Sequence, residues 1–237
     1  MTTTLNPTGR PRGVWAAAAA LAMSIGLSLL SCAPALASSL PAIDGANPVG
    51  PQQADFSGES ASSEARQIAD WIVQTRDNRG APFIIVDKKA TQVFVFDGQA
   101  KLRGASTALL GLARGDDSAE GVGQRPLSKI PPGQRTTPAG RFVASLGLNL
   151  ANQDILWVDY DAALALHRVL DAKSPQRRLE RLAAASPLDR RITFGCINVP
   201  VSFYEDVVRP QFVDRTGVVY ILPETKSLRD VFRLPPA

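Results

Sequence analysis

The stretch RITFGCINVP, residues 191–200, decides how the rest of the chain is interpreted. Its β-type run leads into Gly195, the thiol of Cys196 follows, and Pro200 is placed to begin a helix. This order of parts is typical of a nucleophile exposed at the end of a strand. His167 is the sole histidine of the 237 residues. Cys196 and His167 therefore form a candidate pair of thiol nucleophile and base.

Composition describes a globular chain with one hydrophobic core. Hydrophobic residues occupy 45% of the 237 positions, which is enough to bury a sizeable core. The formal net charge is +4, and removal of residues 1–37, which contain two arginines and no acid, would lower it to +2. No run of Lys or Arg alternates with aromatic residues, so a nucleic-acid partner is not indicated. One histidine and no Cys/His cluster argue against a metal site.

The first 37 residues have the pattern of a secretory signal peptide. Two arginines and no acid precede an apolar run at 16–30, and Ala-Leu-Ala at 35–37 supplies a cleavage site before Ser38. A membrane-spanning helix needs about 20 apolar residues, and this run is interrupted before it reaches that length. The alternative is a lipoprotein signal that is cleaved before Cys32, with lipid on its sulfur. Either route leaves Cys196 as the thiol that is free to react.

The sequence divides into five segments. They are a signal peptide (1–37), a disordered linker (38–63), a peripheral helix (64–80), a β-rich domain (81–224) and a C-terminal tail (225–237). The linker has few large apolar side chains, so burial cannot offset the entropy that ordering would cost. Apolar residues at helical spacing, among them Ile68 and Ile72, predict the peripheral helix.

Runs rich in β-branched and aromatic residues dominate the β-rich domain. Strands are predicted at 83–86, 91–96, 100–110, 142–146, 155–160 and 217–222. Helices are predicted at 175–185 and from Pro200 to Val208. Residues 111–141 read as a polar, glycine-rich loop, and loops of this length are uncommon unless they are functional or mobile. The predicted fold is a mostly β single domain with peripheral helices.

A family resemblance rests on these residues. The segment TFGCIN, residues 193–198, resembles the signature of the L,D-transpeptidase (YkuD-like) catalytic domain, which is Ser or Thr, usually His, then Gly, Cys, an apolar residue and Asn or Arg. His167 matches the position of the family's catalytic histidine. The stretch TPAG at 137–140 is similar to the family's Thr-Pro-Thr-Gly, and the resemblance extends from about Pro82 to Leu222. It implies a β-sandwich or barrel.

The resemblance also implies a function. Members of this family act in the cell wall on peptidoglycan stem peptides and form a thioester on cysteine, here Cys196, with His167 as the base. Thr193, Phe194, Gly195 and Asn198 would form the scaffold of the site, and backbone amides near Gly195 would hold the oxyanion. No cofactor or metal is implied. The partners would be stem peptides, with an amine or a wall-anchored protein as the acyl acceptor, in the periplasm or cell envelope.

The sequence departs from the family pattern in three places. Phe194 stands where the family usually has a second histidine, so any hydrogen bond made by that imidazole is missing. His167 and Cys196 are 29 positions apart, farther than is common in the family, and the excess falls on the helix predicted at 175–185. Arg168 follows the histidine where small residues are usual, although its backbone carbonyl could still orient the imidazole.

Several alternatives stay open on the sequence alone. The thioester could be resolved by an amine, which gives transpeptidation, or by water, which gives carboxypeptidase or amide hydrolase activity. The chain could also be a non-catalytic peptidoglycan-binding module, in which Cys196 and His167 are buried core residues. A papain-like enzyme is excluded by the order of Cys and His, and no sortase motif is present. Arg190 and Arg191 read as a solvated, charged turn, with binding of a substrate carboxylate as the alternative.

Overall fold

The computed structural model describes residues 53–169 and 177–234. The predicted signal peptide, residues 38–52 of the predicted linker and the start of the helix predicted at 175–185 lie outside these ranges. Within them the chain is mostly β with short helices around the sheet, which confirms the predicted fold class. None of the helices in these ranges combines the length and the apolar character that a membrane span requires.

Ten strands are present in the described residues. They are β1 (Phe83–Asp87), β2 (Gln92–Phe96), β3 (Leu102–Thr107), β4 (Leu110–Gly111), β5 (Gly140–Leu148), β6 (Asp154–Asp159), β7 (Leu164–Arg168), β8 (Arg191–Thr193), β9 (Ile197–Val199) and β10 (Gly217–Ile221). Eight of them form one sheet in the order β3-β2-β1-β10-β5-β6-β7-β9, and β4 pairs with β8 in a second sheet. The pairs β1–β10 and β7–β9 are parallel, and the other pairs of the large sheet are antiparallel.

The large sheet curls until its two edges nearly meet. Just after β3, Leu109 exchanges two backbone hydrogen bonds with Asn198 in β9, at 2.8 and 2.9 Å. The bridge links the chain leaving one edge strand to the opposite edge strand, so the sheet is close to a barrel. Because Asn198 lies two residues after Cys196, this closure places the 191–200 stretch at the seam.

Helices cover the sheet. They are α1 (Ser63–Thr75), α2 (Arg178–Ala183), α3 (Val201–Phe203), α4 (Arg209–Phe212) and α5 (Leu228–Val231), with a π-helical turn at Tyr204–Val208 that joins α3 to α4. The Ser62 side chain caps α1 by accepting from the Ala65 amide at 3.1 Å. Helix α1 ends at Thr75 because the next residue, Arg76, adopts the left-handed conformation with φ 53°, so the helix is shorter than the predicted 64–80. The helix predicted from Pro200 to Val208 continues instead to Phe212.

Two apolar layers lie on opposite faces of β1, β2 and β10. Side chains alternate along each strand, so Ile84 points inward to a core shared with Phe203, while Phe83 points outward. The outer layer packs against Ile68 of α1. Strands buried on both faces read as continuous apolar runs, which is why these three were recognisable in the sequence.

Both ends of the described chain contribute to the outer layer. Phe56, within the predicted linker, is 3% exposed, and its ring centroid lies 5.3 Å from those of Phe94 and Phe96. Phe232, within the predicted tail, is also buried. Single aromatic anchors in polar segments therefore extend the packed unit beyond the sheet.

Candidate active site

A tight backbone turn presents Cys196. Gly195 has φ +139°, and a Cβ at this position would lie 2.9 Å from the Thr136 carbonyl oxygen. Only glycine fits both constraints. The Thr137 hydroxyl donates to the Gly195 carbonyl at 2.6 Å and accepts from the Gly111 amide at 2.8 Å, so the predicted TPAG loop ties the glycine in place.

The Thr193 hydroxyl closes the turn from the other side. It donates to the Cys196 carbonyl at 2.7 Å and accepts from the Gly195 amide at 3.1 Å. Thr193 is therefore placed as a scaffold of the turn. The Gly195 amide, expected from the sequence to face an oxyanion, is directed at this hydroxyl.

Cys196 lines a cavity of about 150 Å³. The long loop lines one side of this cavity with Val122, Arg125, Leu127 and Ile130, and residues 162–164 line another. The sulfur lies 3.6 Å from the Ala163 carbonyl oxygen. Burial raises the pKa of the Cys196 thiol, and the Ala165 amide and the positive charge of Arg178 oppose this only in part. The resting sulfur is therefore a thiol at neutral pH.

The parallel pairing of β7 with β9 sets His167 directly opposite Asn198. Asn198 Nδ2 lies 2.9 Å from His167 Nε2, and His167 Nδ1 lies 2.8 Å from the Arg168 carbonyl oxygen. Burial lowers the pKa of His167, as do the positive charges of Arg178 and Arg168, while the hydrogen bond to the Arg168 carbonyl raises it. The structure thus places His167 in the β-strand next to the cysteine turn and gives both of its ring nitrogens partners.

Arg178 of α2 extends this network. Its Nη1 donates to Asn198 Oδ1 at 2.9 Å, so Arg178, Asn198 and His167 form one hydrogen-bonded series, which we call the polar chain. The sequence predicted a helix near the site, and α2 does lie against it. The contribution of Arg178 was not predicted, since nothing in the sequence distinguishes it from its neighbours Arg177 and Arg181.

Phe194 lines the same cavity as Cys196. The Arg135 guanidinium carbon lies 4.1 Å from the centroid of the Phe194 ring, which is the geometry of a cation–π contact. The position where the resembled family has a second histidine therefore carries an aromatic face with a cation over it.

The Arg168 side chain turns away from the imidazole. Its Nη2 donates to Asp154 Oδ1 at 3.0 Å, and its Nε donates to the Glu205 carboxylate. The bulky residue after His167 is thus accommodated by acids on β6 and in the π-helical turn. Its backbone carbonyl keeps the orienting role that the sequence predicted.

Arg190 and Arg191 are not a solvated turn, and that prediction is wrong. They are 6% and 7% exposed, and Arg190 Nε donates to Thr91 Oγ1 at 2.5 Å. Arg191 donates to the Glu224 carboxylate and to the Lys88 carbonyl oxygen. The Glu224 carboxylate, 33 positions away, compensates the Arg191 charge, and the Lys88 carbonyl oxygen, 103 positions away, accepts a further hydrogen bond. The local sequence gives no sign of either partner.

Arg191 belongs to a buried ion cluster, defined here as Lys88, Asp116, Arg191 and Glu224. The Lys88 ammonium is fully buried and donates to Asp116 Oδ1 at 2.7 Å and to the Thr137 carbonyl oxygen at 3.0 Å. Hydrogen bonds from Lys88 and from the segment after β10 hold the pKa of Asp116 well below its usual range, although burial opposes this. The cluster fixes the loop that carries Thr137, and hence the Gly195 turn.

Among residues 53–169 and 177–234 no group of three or more His, Cys, Asp and Glu side chains is arranged to hold a metal ion. The structure brings together Thr193, Gly195, Cys196, Asn198 and His167, and it places Phe194 at the cavity wall.

No protein-family model matches the sequence, and no curated protein matches it. Several solved structures are similar to this chain. The helical cell shape determining protein Pgp2 from Campylobacter jejuni is 14% identical, with a TM-score of 0.42 over 62% of this chain and 49% of that one. An L,D-transpeptidase from Mycobacterium smegmatis is 14% identical, with a TM-score of 0.33 over 59% of this chain and 58% of that one.

An L,D-transpeptidase mutant from Enterococcus faecium is 15% identical, with a TM-score of 0.33 over 60% of this chain and 50% of that one. The match spans about half the length of the Pgp2 protein. Identities and TM-scores this low assign neither residues nor a reaction to this chain.

Proposed function

We propose that this protein is a cysteine acyltransferase of the L,D-transpeptidase type that acts on peptidoglycan stem peptides. The observation that carries the proposal is the arrangement at the barrel seam. Cys196 opens into a cavity, and the β7–β9 pairing holds the sole histidine opposite Asn198, two residues after that cysteine. The resemblance of residues 193–198 to the family signature supplies the substrate class.

The proposed reaction has two steps. The Cys196 sulfur attacks the carbonyl carbon that precedes the terminal D-alanine of a tetrapeptide stem, and His167 takes the thiol proton and passes it to the departing amine. A thioester and free D-alanine result. An amine then attacks the thioester carbonyl and regenerates the thiol, with an amide as the product.

The substrate would enter through the cavity beside the long loop. Its lining is largely apolar, with Arg125 at the wall and Arg135 over Phe194, which suits an acyl chain that carries a carboxylate. The Ala165 and Cys196 amides, which act on the Cys196 sulfur, would be the backbone donors to the developing charge.

Release of D-alanine from a purified tetrapeptide muropeptide tests the proposal. We expect turnover by the purified protein, together with a covalent carbapenem adduct in its intact mass. Cys196→Ala and His167→Ala should each abolish turnover, while Arg181→Ala, a charge change elsewhere on α2, should not. Phe194→His should raise the rate, since one lost stabilising donor typically costs about 10²- to 10³-fold.

The products decide between the two fates of the thioester. An added D-amino acid that becomes incorporated indicates aminolysis, whereas a tripeptide stem with a free carboxylate indicates an L,D-carboxypeptidase.

A non-catalytic peptidoglycan-binding module is the second candidate. It is favoured by the resting state of the site, in which the thiol is protonated and Asn198 occupies His167 Nε2. Binding to sacculi without turnover and without an adduct would replace the first proposal with this one.

We also propose that residues 1–37 direct export to the periplasm or cell envelope. The mature protein should begin at Ser38, which mass spectrometry of the exported protein would show. An N-terminus at a lipid-modified Cys32 would establish the lipoprotein alternative.

A further inference from the structure

We propose that Arg178 is a positioning residue, which fixes the orientation of the Asn198 amide and so holds His167 as a neutral imidazole with its proton on Nδ1. The inference concerns the site of the proposed function. It defines the protonation state of His167 before the reaction and names Arg178 as the residue that sets this state.

The first step concerns the amide of Asn198. A side-chain amide has an acceptor end and a donor end, whereas a guanidinium has donors only. With the Arg178 Nη1 at 2.9 Å, the atom that faces it must be Oδ1. The donor end, Nδ2, is then the atom that faces His167, and Asn198 is 1% exposed, so water has little access to either end.

The second step concerns the imidazole. Nε2 lies 2.9 Å from an N–H donor and must therefore accept, which leaves it without a proton. Nδ1 lies 2.8 Å from the Arg168 carbonyl oxygen, which can only accept, so Nδ1 carries the proton. An imidazolium would direct its Nε2–H at the Nδ2–H groups of Asn198, two donors facing each other.

The charges around His167 favour the same state. On its own strand lies Arg168, which is paired with Asp154 and Glu205, and α2 contributes Arg178. Both guanidinium charges oppose protonation of the imidazole. Reversal of the Asn198 amide would allow Oδ1 to accept from an Nε2–H, and Arg178 opposes that reversal.

The consequence for the proposed reaction is an exchange of partners. His167 can take the Cys196 proton only after Nε2 loses the Asn198 N–H. Arg178 would therefore control how readily the thiol of Cys196 and the neutral imidazole of His167 become a thiolate and an imidazolium. It would do so without contact with the substrate.

The sole histidine makes a direct test possible. Protein purified without a histidine tag and labelled with ¹⁵N-histidine gives ring signals that arise from His167 alone. We expect the Nδ1–H tautomer in the unmodified protein, with a pKa below the ordinary value for histidine. Arg178→Met should raise that pKa, because it removes a nearby like charge and releases the amide. Arg178→Lys retains the charge and a donor and should shift it less.

Arg181→Met is the matched control, since it removes the same charge from the same helix, where Arg181 Nη1 donates to the Asp189 carbonyl oxygen at 3.0 Å. It should leave the pKa and the tautomer unchanged. An Nε2–H tautomer in the unmodified protein, no shift in Arg178→Met, or an equal shift in Arg181→Met would each overturn the inference. If Arg178→Met does not fold, the tautomer of the unmodified protein and the Lys variant decide.

These measurements do not depend on turnover. A protein that shows the Nδ1–H tautomer but releases no D-alanine would contradict the proposed function and leave the role of Arg178 standing. A protein that releases D-alanine and shows an Nε2–H tautomer would support the proposed function and contradict the role of Arg178.

Discussion

The two ends of the 191–200 stretch belong to different kinds of polar network. At its start, Arg191 belongs to the buried ion cluster, where ammonium and guanidinium groups meet carboxylates that are 1% exposed at the side chain. Toward its end, Asn198 belongs to the polar chain, where the link between Arg178 and His167 is a neutral amide. Opposite charges that are buried away from water hold their groups in one arrangement. The hydrogen bond between the Asn198 amide and the His167 imidazole is weaker, so His167 can exchange it for one with a thiol.

The buried ion cluster therefore has a structural role, whereas the polar chain can take part in the proposed reaction. The buried ion cluster reaches the cysteine turn through Thr137, which holds the Gly195 carbonyl at 2.6 Å. The polar chain reaches the same turn through β9, on the opposite side. We infer that the first keeps the turn rigid while the second sets the protonation of His167.

The largest expected effect comes from breaking the buried ion cluster. Lys88→Met leaves Asp116 and Glu224 buried without their ammonium partner, and loss of one partner of a buried ion pair typically costs about 3–5 kcal/mol. The measurement is the free energy of unfolding in urea. Lys89→Met is the matched control, because its pair with Glu64 is exposed and should contribute about 0–1 kcal/mol. Equal losses in the two variants would show that the buried ion cluster is not a support.

The second prediction concerns acid. The pKa of Asp116 is lower in the folded protein than the value of about 3.9 expected when unfolded, so its contribution to stability is complete above that value and is lost as the pH falls below it. We expect about 2 kcal/mol of stability to disappear between roughly pH 5 and pH 2 on this account. Urea unfolding at several pH values measures the slope. Asp116→Asn should flatten it, and an unchanged slope would assign the acid sensitivity to other carboxylates.

The sequence predicted much of the fold because burial leaves a pattern in it. Strands β1, β2 and β10 read as apolar runs, and α1 shows apolar residues at helical spacing. Strand β9 was missed because three residues between a cysteine turn and a proline carry no periodic signal. The anchors Phe56 and Phe232 were missed because each is a single aromatic residue in a polar segment.

The candidate site was predicted in its residues but not in its contacts. Cys196, His167 and the turn residues follow from one motif and one histidine, and their roles stay predictions. The contacts of Arg178, Arg135 and Arg191 depend on which parts of the chain meet in space, and an arginine looks the same in sequence whether it is solvated or buried. Only partners across the fold separate these cases.

The third prediction concerns the link between the two regions. Thr137→Val keeps the shape but removes the hydroxyl that serves the Gly195 carbonyl and the Gly111 amide, and buried groups left unsatisfied cost about 1–3 kcal/mol. We expect that loss in urea unfolding, together with a changed rate of Cys196 alkylation by iodoacetamide. Thr75→Val is the control, because Thr75 is exposed in the last turn of α1, donates to the Trp71 carbonyl oxygen and does not line the cavity beside Cys196. Altered stability with unaltered alkylation would show that the turn keeps its geometry without Thr137.

The smallest expected effect concerns the contact of Arg135 with the Phe194 ring, and it tests whether this arginine is held by a charge, as in the buried ion cluster, or by a neutral group, as in the polar chain. Its guanidinium carbon lies 4.1 Å from the centroid of the Phe194 ring, and its Nε donates to the Ile130 carbonyl oxygen at 3.0 Å. A double-mutant cycle of Arg135→Met and Phe194→Leu removes the carbonyl contact in both arms and isolates the ring contact, which should couple the two residues by about 0.5–1 kcal/mol. Because an aromatic face bears no net charge, the coupling should depend on salt much less than that of the exposed Lys89–Glu64 pair. A coupling near zero would mean that the hydrogen bond to the Ile130 carbonyl oxygen, and not the Phe194 ring, holds the Arg135 guanidinium in place.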